Sequence, residues 1–182
     1  MNIISTPISD LKILKPQIFG DERGFFMETF RDAWFREHVA DVSFVQENQS
    51  LSKYGTLRGM HYQTQQAQGK LIRVISGEVF DVVIDLRRSS SSFGQWFATQ
   101  LSAENRLQLW VPPGFAHGFY VASSSAEVIY KCTDYYAPQF EQSILWHDTD
   151  LAIDWPISVE DTPQLSEKDR NGVKFKNALF FE

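Results

Sequence analysis

The stretch Lys70-Leu71-Ile72-Arg73-Val74-Ile75-Ser76-Gly77-Glu78-Val79-Phe80-Asp81-Val82-Val83-Ile84-Asp85-Leu86 contains two runs rich in apolar and β-branched residues. Such residues favour β-strands, and a two-residue link that contains glycine, here Ser76-Gly77, is typical of a β-hairpin. The stretch therefore predicts strands at residues 70–75 and 78–86, joined as a hairpin. The second run is almost continuously apolar, which predicts a strand buried on both faces.

Outside this stretch, short strand signals continue at close spacing and are ended by turn residues such as Pro112-Pro113-Gly114. They cover residues 95–101, 107–111, 116–121 and 127–133. Two short helices are also predicted, one over residues 31–39 and one beginning at Ser166, a cap residue followed by an acid three positions later. Seven or so strands with few helices predict an all-β sandwich or jelly roll.

Composition restricts the class of protein. The 182 residues suit one domain, with a jelly-roll core over about residues 40–150, N-terminal strands, and a more polar helical tail that wraps it. The net charge of −6 and the absence of a long basic run argue against nucleic-acid binding. No apolar run is long enough to cross a membrane, and the single Cys132 allows no intrachain disulfide, so we expect a cytoplasmic protein.

His61 is the first candidate for chemistry. It lies three residues after Arg58 and nine before Lys70. Histidine titrates near neutral pH and is therefore the usual general base, although a hydrogen-bonded core histidine fits the same pattern. Buried cations require an anion, and Tyr130 could return a proton. Together these residue types favour proton abstraction from a carbon whose anion needs stabilising.

The spacing of Arg58 and His61 raises a geometric question. Strict alternation would place the two side chains on opposite faces of one strand. They can share a pocket only if Gly59 marks a β-bulge, or if Arg58 lies in the loop before the strand. The sequence leaves both possibilities open.

Other candidates are ambiguous by themselves. His117, between small and aromatic residues, suits either a pocket wall or a packed turn. Arg23, the amide-rich residues 46–49 and Tyr136 each suit either a ligand contact or an ordinary surface. The chain has four histidines but no His-x-His pair, so the usual ligand set of a metal-binding cupin is missing and no metal site is predicted.

A series of short motifs follows in order along almost the whole chain. They are residues 22–26 (ERGFF), 46–49 (QENQ), 57–62 (LRGMHY), 68–70 (QGK), 77–81 (GEVFD), 113–119 (PGFAHGF), 130–131 (YK), 135–138 (YYAP), 143–146 (SILW) and 165–169 (LSEKD). With these motifs the chain resembles the dTDP-4-dehydrorhamnose 3,5-epimerases. The resemblance implies a metal-free, cofactor-free cupin jelly roll that acts as a homodimer on a dTDP-sugar.

The resemblance also implies roles for individual residues. His61 would be the base that removes protons beside the C4 ketone, and Asp169 its carboxylate partner. Tyr130 would return a proton on the opposite face, and Lys70 would stabilise the enolate oxygen. The positions matching substrate-binding residues are Arg23, Phe26, Glu28, Gln46, Glu47, Asn48, Arg58, Lys70, His117, Tyr136, Glu141 and Lys168. Of these, Tyr136 would stack on thymine, and Arg23 and Glu28 would reach the neighbouring subunit's site.

The activity implied by the resemblance is epimerisation at C3 and C5 of dTDP-4-dehydro-6-deoxy-D-glucose to dTDP-4-dehydro-L-rhamnose, through an enolate, in dTDP-L-rhamnose biosynthesis. The ketone is already present in the substrate, so no redox cofactor is required. An epimerase acting at one carbon alone would use the same base and acid. Two alternatives come from other classes: a metal-dependent cupin oxygenase or isomerase, and a non-catalytic nucleotide-sugar-binding module.

Overall fold

Two antiparallel sheets contain eleven of the thirteen strands in the computed structural model, which describes residues 1–182. In chain order the strands are β1 (Asn2–Ser5), β2 (Lys12–Lys15), β3 (Ile18–Asp21), β4 (Gly24–Met27), β5 (Gln46–Lys53), β6 (Leu57–Gln63), β7 (Lys70–Ser76), β8 (Glu78–Asp85), β9 (Trp96–Ser102), β10 (Gln108–Val111), β11 (Phe115–Val121), β12 (Ser125–Cys132) and β13 (Glu141–Ser143). The helices are α1 (Asp32–His38) and α2 (Glu167–Arg170). The predicted all-β sandwich is confirmed.

The order of strands defines the two layers. One sheet has six strands in the order β1-β2-β10-β7-β12-β5, and the other has five in the order β13-β6-β11-β8-β9. The remaining pair, β3 and β4, forms a separate hairpin. The N-terminal strands β1 and β2 thus extend the six-stranded sheet beyond the predicted core.

The predicted hairpin at Ser76-Gly77 is wrong. Strand β7 lies in the six-stranded sheet and β8 in the five-stranded sheet, so this link is a corner at which the chain changes layers. Gly77 has a φ of +70°, and a Cβ atom there would lie 1.9 Å from the carbonyl oxygen of Ser125. The corner forms because both strands have apolar inward faces. These faces pack against each other between the two sheets, whereas a hairpin would place the strands side by side in one sheet.

Three apolar layers hold the sheets together. Between them lies the inner core, to which β7 contributes Ile72 and Val74 and β8 contributes Val79 and Val83. The outer face of the five-stranded sheet is covered by the C-terminal segment, and that of the six-stranded sheet by α1. Since β8 packs against two of these layers, it is buried on both faces, as predicted.

The C-terminal segment is mostly irregular rather than helical, apart from α2 and one 3₁₀ turn at Phe175–Asn177. It carries Trp155 and Ala178 into the layer outside the five-stranded sheet. The predicted cap of α2 is present: the Ser166 hydroxyl accepts a hydrogen bond from the Asp169 backbone, and the Asp169 carboxylate accepts one from Ser166 in return. No helix of the chain is both long and apolar enough to cross a membrane.

A β-bulge at Gly59 answers the question raised by the spacing of Arg58 and His61. His61 pairs with His117 and Arg58 with Phe119, so two residues of β6 oppose one residue of β11, Gly118. The extra residue shifts the alternation by one position. Arg58 and His61 therefore both line the same cavity.

The bulge requires glycine, which leads to a first prediction. Gly59 has a φ of +136°, and a Cβ atom there would lie 2.5 Å from the Gly118 Cα atom. Gly24 has a similar φ of +130° but no neighbour of its own chain within 4 Å of the added atom, so Gly24→Ala adds backbone strain without a clash inside the chain. We expect that strain to cost about 1–3 kcal/mol of unfolding free energy. Gly59→Ala is expected to cost about 1–3 kcal/mol more, because two backbones must separate.

Urea unfolding of both variants and of the parent chain provides the measurement. Equal losses in the two variants would show that the close approach of β6 and β11 contributes nothing, and would contradict the prediction.

Candidate active site

One end of the sandwich contains a cavity of about 450 Å³, lined by strands of both sheets, by the turn after β12 and by α2. It is within the size range of small-molecule sites. Ten of the residues predicted from the sequence line it: Gln46, Asn48, Arg58, His61, Lys70, His117, Tyr130, Tyr136, Glu141 and Lys168. The structure thus brings together residues from segments far apart in the chain.

Alternation along the strands explains how an apolar core becomes a polar cavity. On β7 the inward residues Ile72 and Val74 belong to the core, and Lys70, next in the same row, lines the cavity. On β12 Val128 belongs to the core, and Tyr130 follows it on the same face. The inward-facing side chains of β7 and β12 therefore change from aliphatic to polar and titratable ones toward one end of the sandwich.

His61 is held from behind by a buried carboxylate. Its Nε2 atom lies 2.5 Å from Oδ1 of Asp169, whose side chain is only 3% exposed. The same carboxylate accepts hydrogen bonds from the Gly59 backbone N–H, at 3.3 Å, and from the Ser166 hydroxyl, at 2.6 Å. Burial raises the pKa of the Asp169 carboxyl, but the hydrogen bonds from His61 and Ser166 outweigh burial and lower this pKa to about 2.

The environment of His61 suits a base. Burial lowers the pKa of His61 below the ordinary value of 6.5, Asp169 offsets part of this change, and Lys168 and Lys70 lower it further. The imidazole is therefore neutral at neutral pH. Nε2 faces Asp169, and Nδ1 has no partner within the chain, so Nδ1 is free to accept a proton from a ligand.

An acid and a cation face His61 from the opposite sheet. Burial raises the pKa of the Tyr130 phenol, which therefore stays protonated and can donate a proton. Burial lowers the pKa of Lys70, and the Glu141 and Asp81 carboxylates oppose this shift. His61 belongs to the five-stranded sheet, whereas Tyr130 and Lys70 belong to the six-stranded sheet. A ligand between the sheets would have the base on one side and the acid on the other.

A hydrogen-bonded group of polar residues forms part of the cavity rim. Glu141 accepts hydrogen bonds from the Tyr136 hydroxyl, at 2.8 Å, and from the Lys168 ammonium group, at 2.7 Å. Burial raises the pKa of Glu141, but the donors Lys168 and Tyr136 outweigh burial and the net pKa is lowered. Arg58 donates through Nε to the Ser52 hydroxyl at 3.0 Å, which leaves the end of its guanidinium group for a ligand.

Four predicted binding residues lie outside this cavity. Glu47 alternates to the opposite face of β5, where it pairs with Lys131, and its expected substrate contact stays a prediction. Arg23 pairs with Asp21 and Glu28 with Arg31, both on the surface. Phe26 is 70% exposed on the hairpin of β3 and β4. None of these three touches the cavity of its own chain.

The sequence interpretation missed some groups. Asp81 is not among the predicted site residues, yet it is fully buried and its carboxylate contacts His117. Its signal was an acid inside a strand predicted to be buried on both faces, since a buried charge requires a partner. Phe181, from the chain's end, also lines the cavity, and its sequence context contains no signal for this. No group of three or more His, Cys, Asp or Glu side chains could hold a metal ion.

Comparison with known proteins identifies the family. A family model described as dTDP-4-dehydrorhamnose 3,5-epimerase matches residues 5–177. The chain belongs to this epimerase family. It is 57% identical over 178 residues to the dTDP-4-dehydrorhamnose 3,5-epimerase of Neisseria gonorrhoeae, covering 98% of this chain and 54% of that relative. The chain thus spans about half the length of that relative.

Solved structures of the epimerase family share the fold. A dTDP-6-deoxy-D-glucose-3,5-epimerase from Legionella pneumophila, in complex with dTDP-4-keto-L-rhamnose, superposes with a TM-score of 0.94 at 52% identity, over 97% of this chain and 93% of that chain. A 3′-monoepimerase from Streptomyces bikiniensis, in complex with dTDP-quinovose, gives 0.86 at 32% identity, over 93% and 86%. The predicted family, jelly-roll fold and isomerase class are confirmed.

The pairing of His61 with Asp169 leads to a second prediction, which needs no substrate. NMR titration of the histidine ring protons is expected to give His61 a pKa below 6.5. Asp169→Asn is expected to lower this pKa further, because the hydrogen bond and charge of Asp169 both favour the imidazolium form. Glu167→Gln removes an exposed acid from the same helix and serves as the control. An unchanged or raised pKa in Asp169→Asn would contradict the assigned pairing.

Proposed function

We propose that the chain epimerises dTDP-4-dehydro-6-deoxy-D-glucose at both C3 and C5, giving dTDP-4-dehydro-L-rhamnose for dTDP-L-rhamnose biosynthesis. One observation carries the proposal: a neutral His61 backed by Asp169 faces a protonated Tyr130 across one cavity. Inversion of a carbon requires removal of a proton from one face and delivery of a proton to the other. An opposed base and acid meet that requirement.

The reaction at each carbon has two steps. Nδ1 of His61 takes the proton from the carbon beside the ketone, and the C–H electron pair forms the enolate, whose charge lies on the C4 oxygen. The Lys70 ammonium group stabilises this oxygen, since a preorganised cation is most effective in a cavity that excludes water. Tyr130 then gives its proton to the other face of the carbon. Exchange with solvent returns a proton to Tyr130 and removes one from His61.

The cavity also suits the dTDP portion of the substrate. Arg58, Lys168 and His117 supply local positive or polar contacts for a diphosphate, although the chain as a whole carries a charge of −6. The Tyr136 ring, 52% exposed, offers a face for a pyrimidine base. The solved Legionella relative, at 52% identity, contains a dTDP-sugar, which supports the same class of ligand for this chain.

A third prediction tests the reaction. The substrate is incubated with the enzyme in D2O, and the sugar protons are followed by NMR. Deuterium is expected at both C3 and C5 of an inverted product. Exchange at C3 alone or C5 alone would replace the proposal with a single-carbon epimerase, an activity known on this fold. Binding without exchange would indicate a binding module.

Two variants separate the roles of base and acid. His61→Gln is expected to reduce exchange at both carbons about 10²–10⁴-fold, because no base remains. Tyr130→Phe keeps the base and is expected to retain exchange while losing inversion. Full exchange in His61→Gln would refute the proposed base. Stoichiometric metal with chelator-sensitive activity would favour a metal-dependent cupin.

We also propose that the active form is a homodimer. Arg23, Phe26 and Glu28 match substrate-binding positions but lie outside their own cavity. The hairpin that carries Phe26 exposes two further aromatic side chains, Phe19 and Phe25, each 56% exposed. Apolar surface of this kind is typical of an interface. A hairpin that reaches into the partner's cavity would explain both observations.

A fourth prediction uses mixed dimers. Arg23→Ala and His61→Gln chains are each expected to be weakly active alone. In a mixed dimer, one site would combine an intact His61 from one chain with an intact Arg23 from the other. Each mixed dimer is therefore expected to have one active site, which is half the number in a wild-type dimer. No gain on mixing, or an active monomer in light scattering, would contradict the shared site.

With this function we propose a cytoplasmic location. Cys132 is a buried free thiol, as is usual for proteins of reducing compartments.

A further inference from the structure

Asp81 is a carboxylate in an apolar setting. It is fully buried on β8, between Val79 and Val83, on the face directed into the inner core. Its only hydrogen-bond partner is His117, whose Nε2 atom lies 3.0 and 2.9 Å from the two carboxylate oxygens. A buried carboxylate without a compensating charge is strongly unfavourable, because its hydration is lost and nothing replaces it.

The cavity thus contains two histidines, each backed by a buried carboxylate. His61 and His117 are paired across β6 and β11, and each directs Nε2 to its carboxylate. Nδ1 of His117, like that of His61, has no partner within the chain and is not buried away from the cavity. The two pairs therefore present the same ring atom to a ligand.

The two carboxylates differ in how their charge is satisfied. Asp169 accepts hydrogen bonds from Gly59 and Ser166 in addition to His61, so its charge is compensated even when His61 is neutral. Asp81 has no donor other than His117. Because one neutral N–H compensates a buried carboxylate poorly, the pair at Asp81 favours a charged imidazole.

Other charged and titratable side chains line the cavity together with His117. They are Arg58 and His61 on β6, Lys70 on β7, and Tyr130 on β12, and the same cavity is also lined by Tyr136, Glu141 on β13 and Lys168 on α2. The positive charge of Lys70 disfavours a second positive charge on His117. Asp81 interacts favourably with Lys70 as well, so its carboxylate offsets part of this repulsion. The diphosphate of the proposed substrate would supply further negative charge.

We propose that Asp81 is a positioning residue that holds His117 as an imidazolium, with its Nδ1–H directed into the cavity as a donor to an anionic oxygen of the substrate. The inference rests on the proposed function for the identity of that substrate. His61 and His117 then divide the work: the neutral ring accepts protons, and the charged ring donates a hydrogen bond and transfers no proton. The anionic oxygen belongs either to the enolate or to the diphosphate.

The fifth prediction is tested first without substrate. Proton–nitrogen correlation spectra at neutral pH are expected to show the His117 ring protonated on both nitrogens and the His61 ring on one, with His117→Gln used for assignment. Asp81→Asn keeps the shape of the side chain but removes its charge, and is expected to return His117 to the neutral form. A neutral His117 in the parent protein would overturn the proposal, even if the variant failed to fold.

Kinetics provide the second test. Asp81→Asn is expected to lower kcat/KM about 10–100-fold, the range for losing a group that orients a functional histidine. A fall in kcat at unchanged KM would identify the enolate oxygen, and a rise in KM at unchanged kcat the diphosphate. Asp85→Asn is the matched control, because Asp85 is equally buried on β8 but pairs with Arg87 outside the site.

The control separates the proposed role from a structural one. Asp85→Asn is expected to lose stability while keeping the spectra of His61 and His117 and kcat/KM near those of the parent protein. If Asp81→Asn behaves in the same way, Asp81 is only structural and the proposal fails. A parent protein that shows the charged His117 but no exchange in D2O would refute the epimerase function and leave the charge state of His117 established.

Discussion

The close approach of two backbones, at Gly59 of β6 and Gly118 of β11, controls the geometry of the cavity. The approach exists because neither residue has a side chain, and it produces the bulge that turns both Arg58 and His61 inward. It also directs the Gly59 N–H toward the Asp169 carboxylate. The inward orientation of Arg58 and His61 and the hydrogen bond from Gly59 to Asp169 therefore both depend on one short irregular stretch of β6.

Burial then assigns the protonation states. The same desolvation lowers the pKa of His61 and raises that of Tyr130, so both side chains favour their neutral forms. The neutral form of His61 does not follow from residue type alone, because an exposed histidine titrates close to neutral pH. The apolar core continues directly into the cavity and supplies this low-dielectric environment.

Much of the fold was predictable because β7–β12 have strong apolar or alternating patterns. Strand β5 lacked such a pattern: its amide-rich residues are typical of a loop, and it forms a strand because it pairs with β12 along its whole length. The hairpin prediction at Ser76-Gly77 is wrong because a tight turn and a corner between sheets use the same residue types. The orientation of Glu47 and the pairing of Asp81 with His117 depend on register and layering, which local sequence does not encode.

The partner of the base comes from a late part of the chain. Asp169 lies 108 residues after His61, on a capped helical turn within the segment that covers the five-stranded sheet. When only the sandwich strands have emerged from the ribosome, the nascent chain already contains His61, Lys70 and Tyr130. It does not yet contain the Asp169 carboxylate that lies behind the imidazole. A chain interrupted before Asp169 would therefore form most of the pocket without the carboxylate that holds the His61 imidazole.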